Sequence, residues 1–192
     1  MKQLEIHTPE TAPAPANGML RGLETMLGFV PNVFAVMAGT PPVLSAFMAV
    51  NQKFAETSLT ATEREVVQMT VSAANECAYC VAGHTAFAMT GGVPEDVIAA
   101  LRNGGPITDP KLSALQAFTR AAVASKGHVG AAELERFLMA GYTEEHVHEV
   151  ILGICVKTFS NLTSNILGVP LDDAFAPYAW RPSDAQARTQ AA

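Results

Sequence analysis

Charge is scarce in this 192-residue chain, with 16% charged residues, and positive charge is the scarcer sign: 12 Lys plus Arg against 18 Asp plus Glu, a net charge of -6. No stretch clusters enough lysine and arginine to neutralise a row of phosphates, which argues against a nucleic-acid partner. Cysteines number three, too few and of the wrong parity for a secreted disulfide framework. No uninterrupted apolar run reaches about 18 residues, and the start Met1-Lys2-Gln3-Leu4-Glu5-Ile6-His7 lacks the basic and apolar regions of a secretory signal. The expectations are no membrane partner and a cytoplasmic location. Strand patterns are also nearly missing.

What is plentiful is apolar helix-forming sequence. Hydrophobic residues make up 49% of the chain, enough for one sizeable core and for subunit contacts, so a homo-oligomer is expected. Proline and glycine fall at joints between segments of helical period. The spacing predicts helices over 19–27, 31–37, 42–56, 60 or 62 to 74, 76–89, 95–101, 111–125, 131–139 and 144–167. The fold class is all-α, a single-domain helical bundle over 18–180. Residues 1–17, with Pro9, Pro13 and Pro15, read as a flexible tail, as do residues 181–192. Similar segments after proline turns, Val43 to Phe47 and Lys111 to Leu115, hint at a duplication.

Chemistry concentrates in Cys77-Ala78-Tyr79-Cys80, with His84 four residues on and Glu65 twelve residues before Cys77. On one helix, Cys77, Cys80 and His84 lie within roughly a 60° arc, so two thiols and an imidazole share a face. Glu65 lies roughly 120° from Cys77 on a continuous helix and joins them only if the chain bends, for which a cap at Asn75 provides the place. Thr60 with Glu63 and Thr62 with Glu65 both have capping-box spacing, so Glu65 has a purely structural reading too. A thiolate converts a peroxide to an alcohol and becomes a sulfenic acid, which a neighbouring thiol condenses into a disulfide. A helix N-terminus favours ionisation of Cys77, whereas proximity to His84 favours Cys80, leaving two candidate nucleophiles. As a metal site, Cys-x-x-Cys-x-x-x-His offers three ligands and needs Glu65 or water as a fourth. The expectation is no metal and no cofactor.

The spacing of Glu65, Cys77, Cys80 and His84 resembles the alkylhydroperoxidase D branch of the carboxymuconolactone decarboxylase family, over about Pro41 to Leu101 and more loosely to Gly168. The layout looks like its subgroup of peroxidase-related enzymes. The resemblance implies an all-helical, oligomeric, cofactor-free peroxidase that reduces organic hydroperoxides and is reduced in turn by a dithiol protein. It implies Cys80 as the peroxide-reacting thiol, Cys77 as its disulfide partner, and Glu65 and His84 as a proton relay. Asn161 and Asn165 resemble asparagines that support the pocket. Tyr79 stands where the best-studied members carry a histidine, and a phenol is no base near neutral pH, though it donates a hydrogen bond. Two alternatives stay open: a cofactor-independent decarboxylase, which needs no thiols, and a non-enzymatic redox sensor. Cys155, inside an apolar run, is expected to be buried and inert.

Overall fold

Proline and glycine punctuate the helices much as the spacing predicts. The computed structural model describes residues 4–183. The helices are α1 (Ala14–Leu27), α2 (Asn32–Met37), α3 (Pro41–Ala55), α4 (Ala61–Ala74), α5 (Ala78–Thr90), α6 (Glu95–Asn103), α7 (Pro110–Ala124), α8 (Ala131–Met139) and α9 (Glu144–Leu167), followed by a short 3-10 segment, Asp173–Tyr178. No strand occurs among the described residues. Prolines occupy the first turns of α1, α3 and α7, where the missing amide hydrogen costs nothing. Gly28, Gly104 and Gly168 close α1, α6 and α9 in the left-handed conformation that glycine adopts without strain.

The N-terminal segment departs from the tail expectation. Pro15 starts a helix rather than preventing one, because it sits in the first turn of α1, and Ala16 is fully buried. His7 and Ala12 are buried too, and the His7 amide donates to the Ala35 carbonyl at 3.3 Å. Of the expected C-terminal tail, residues 184–192 lie outside the described residues.

α4 is the axis of the core. Val66, Val67, Met69 and Val71 are each at most 1% exposed, enclosed by α5, α7 and α9. α9 runs across α3 and α4, and the crossing is so close at Gly153 that a Cβ there would lie 2.6 Å from the Phe54 ring and 2.8 Å from Val67. By length and composition alone α9 could cross a membrane, with a mean hydropathy of 1.4 over its most apolar 18-residue window. Its inward face is mixed: Val150, Gly153 and Val156 meet the core, and Lys157, Ser160, Asn161 and Ser164 are buried beyond them. Its outward face exposes Ile151, Leu162, Ile166 and Leu167. Cys155 is exposed with them, correcting the expectation of a buried thiol; the apolar run around it turns one face outward.

Candidate active site

The break between α4 and α5 decides where the thiols point. Asn75 closes α4 instead of opening the next helix, Glu76 takes a left-handed φ of 52°, and Cys77 becomes the N-cap of α5. The Cys77 amide returns to the Ser72 carbonyl at 2.9 Å. The corner is clamped from α9, where Asn161 Oδ1 accepts from Asn75 Nδ2 at 2.9 Å and Asn165 Nδ2 donates to the Asn75 carbonyl at 2.9 Å. Both asparagines thus hold the turn that carries the cysteines.

The two glutamates at capping spacing separate cleanly. Thr60 and Glu63 form the capping box, with Glu63 Oε2 accepting from the Thr60 amide at 2.8 Å. Glu65, two residues on, is free of that duty, and its Oε2 lies 2.8 Å from His84 Nδ1. The bend at residues 75–77 therefore brings Glu65 to His84.

Both cysteines are free and buried, Cys77 at 0% and Cys80 at 4% exposure. Cys80 Sγ sits 3.8 Å from Ser160 Oγ and 3.9 Å from Ser164 Oγ. Cys80 also lines a cavity of about 350 Å³ whose lining includes polar Glu65, His84, Lys157 and Ser160 and aromatic Phe34, Phe47, Phe87 and Phe175. Exposed Met26 lines it too, with Leu23 and Leu27. The two thiols are driven apart in acidity. Cys77 is pushed far up, first by its hydrogen bond to Cys80 and then by burial. Cys80 is drawn well below the usual thiol range by its hydrogen bond from Cys77 and then, against burial, by the electrostatic influence of Lys157 and the neighbouring His84. The helix N-terminus at Cys77 does not win, because that sulfur is sealed from water and serves as donor to its neighbour.

Tyr79 lines the same cavity, but its hydroxyl is engaged elsewhere: it donates to Asp172 Oδ2 at 2.6 Å and accepts from the Val33 amide at 3.2 Å. Burial and then Asp172 push its phenol up, and burial raises the Asp172 carboxyl. Tyr79 is a strut between the Cys-x-x-Cys turn, α2 and the segment after α9, not part of a relay. Phe175, from the 3-10 segment, packs edge-on against Phe29, Tyr79 and Phe87, and Gly83 leaves room for it, since a Cβ there would lie 3.1 Å from the ring. Among the described residues no group of three or more His, Cys, Asp and Glu side chains forms a metal-binding set.

One residue of the site gives no signal in the sequence. Lys157 is 5% exposed, and its Nζ meets His84 Nε2. With Nδ1 on Glu65 and Nε2 on Lys157, both ring nitrogens of His84 are taken, so His84 does not reach Cys80 directly as the helix spacing suggests. Lys157 lies four and seven residues before Asn161 and Ser164 on the same helix, but nothing local marks that face as the one that meets the thiols.

An all-helical fold with a buried Cys-x-x-Cys pair beside a Glu-His pair defines the class of helical protein, and comparison makes it specific. Residues 41–121 match the model of the carboxymuconolactone decarboxylase family. An uncharacterized peroxidase-related protein from Ralstonia eutropha JMP134, with an alkylhydroperoxidase AhpD core, superposes with a TM-score of 0.80 at 25% identity, over 91% of this chain and 96% of that one. Residues 41–121 therefore carry the match to the carboxymuconolactone decarboxylase family, within a fold of the alkylhydroperoxidase D-like type. The same fold recurs in a peroxidase-related protein from Silicibacter sp. TM1040 (TM-score 0.76, 21% identity, 90% of this chain and 91% of that one). It recurs also in the debrominase Bmp8, solved with 2,3,4-tribromopyrrole (TM-score 0.78, 20% identity, 93% of this chain and 95% of that one). Comparison with curated protein sequences returned no match.

Proposed function

We propose that the protein is a thiol-dependent peroxidase that reduces organic hydroperoxides through a Cys77–Cys80 dithiol/disulfide cycle. The observation that carries this reading is a buried Cys-x-x-Cys pair whose Cys80 lines an apolar cavity together with Glu65, His84 and Lys157, with Cys80 the more acidic of the two thiols. Cys80 thiolate attacks the terminal oxygen of the hydroperoxide, giving a sulfenic acid and an alcohol; Cys77 then displaces the sulfenic oxygen as water and closes the disulfide. The aromatic and aliphatic walls fit an organic substituent better than hydrogen peroxide. Because both sulfurs are buried, the dithiol reductant must reach them through the cavity mouth or after the corner opens. Free cysteines suit a reducing, cytoplasmic setting. The exposed apolar face of α9 supports assembly into a homo-oligomer, which light scattering checks.

Turnover of cumene hydroperoxide with dithiothreitol as donor tests the reading. The expected outcome is catalysis that falls to background in Cys80→Ser and Cys77→Ser. Hydroperoxide turnover that survives both substitutions would overturn the reading, and stoichiometric oxidation without turnover would point to a sensor; a cofactor-independent decarboxylase would turn over no hydroperoxide and keep its own acid-base activity in both variants. The aromatic lining also favours a flat aryl substrate, as in reductive dehalogenation at the same dithiol. Bromide release from a bromopyrrole, measured beside hydroperoxide turnover, separates the two.

A further inference from the structure

Lys157 is the least expected group in the cavity. A buried ammonium is costly unless a negative or accepting group answers it. Lys157 makes no salt bridge among the described residues; its hydrogen-bond partner is the imidazole of His84. An ammonium only donates, so His84 Nε2 must be the accepting nitrogen, and the ring proton must sit on Nδ1, where Glu65 Oε2 accepts it at 2.8 Å. The order of groups is therefore carboxylate, imidazole, ammonium, with the ammonium in the same cavity as Cys80. Ser160, one turn along α9 from Lys157, contacts Cys80, so the face of the helix that carries the lysine is the face that meets the thiol.

We propose that Lys157 is the cation that holds Cys80 as a thiolate and the acid that protonates the oxygen leaving when Cys80 attacks a hydroperoxide, with His84 and Glu65 orienting and recharging it. In the first step the sulfur electron pair forms the S–O bond, the O–O bond breaks, and Lys157 passes one proton to the departing alkoxide, leaving an alcohol and a neutral amine. The amine then takes the Cys77 proton. Cys77 attacks the sulfenic sulfur, and the hydroxide that leaves becomes water with that same proton. A proton from solvent, relayed through His84, restores the ammonium. Overall two sulfur electrons and two protons convert the hydroperoxide to alcohol and water. The charge of Lys157 is among the causes that draw Cys80 down in acidity, which is consistent with this role.

The acid step rests on the peroxidase reading; the thiolate role does not, and the experiment separates them. In a Cys155→Ser background, the rate of Cys80 alkylation by iodoacetamide is followed against pH by peptide mass spectrometry. In the parent the midpoint should lie below about 7, under the ordinary thiol value of about 8.5. Lys157→Met should move the midpoint up by about one unit or more and slow alkylation near neutral pH on the order of tenfold, while Lys157→Arg keeps most of the parent rate. An unchanged midpoint in folded Lys157→Met, or a parent midpoint near 8.5 whether or not that variant folds, would overturn the proposal. If the alkylation shifts appear but no hydroperoxide is turned over, the peroxidase reading fails and the thiolate assignment stands. If hydroperoxide is turned over and Lys157→Met keeps the parent kcat and pH profile, the acid assignment fails.

Discussion

Glu63 and Glu65 sit two residues apart on one helix and do opposite work. Glu63 is 5% exposed and saturated: the Thr60 amide, the Tyr142 hydroxyl at 3.0 Å and the Lys111 ammonium at 3.0 Å all face it. Burial alone would raise its carboxyl, but these donors outweigh burial and hold it at about 2. Among the described residues Glu65 has one partner, the His84 imidazole, and it lines a cavity. The lesson is that a carboxylate surrounded by its own fold is a fastening, whereas one whose only partner is a titratable ring beside a thiol is available for chemistry.

Substitutions at the two positions test that contrast. The largest expected effect is on activity: Glu65→Gln, or His84→Gln, should lower hydroperoxide kcat on the order of a hundredfold with little change in thermal midpoint. At the α9 crossing, Gly153→Ala should cost about 1–3 kcal/mol in denaturant unfolding, because the added Cβ collides with Phe54 and Val67, both fixed in the core. Glu63→Gln should cost on the order of 2 kcal/mol while the folded fraction keeps its kcat. Loss of kcat in folded Glu63→Gln, or destabilisation by Glu65→Gln of the same size, would erase the contrast. The smallest effect is in pH. Glu63 has a lowered carboxyl, so its stabilisation is complete above its ordinary value of 4.5 and is lost as pH falls toward about 2. Unfolding free energy of the parent should therefore drop more steeply over that window than that of Glu63→Gln.

The helices were legible because proline and glycine punctuate them, and the thiols with His84 because a short spacing on one helix needs no tertiary knowledge. Which glutamate caps α4 was not legible: Thr60 with Glu63 and Thr62 with Glu65 offer the same local pattern, and the decision came from Tyr142 and Lys111, far along the chain. Pro15 misled because a proline forbids a helix interior but favours a first turn. Cys155 misled because α9 carries apolar residues on its outward face as well as on its inward one, so hydrophobic neighbours do not tell which side is covered. Lys157 was invisible for a related reason: its partner is 73 residues earlier, and a single lysine in a long apolar helix reads as a solvated residue until the helix is seen to cross the dithiol.

The central claim is that Cys77 and Cys80 act as one two-electron unit. Adding one equivalent of cumene hydroperoxide to the reduced protein and mapping the thiols by mass spectrometry tests it most directly. The account predicts that Cys77 and Cys80 disappear together into one peptide-linking disulfide while Cys155 stays unlinked. A Cys80 oxidised to sulfinic acid beside a free Cys77, or two thiols that survive the peroxide, would contradict it.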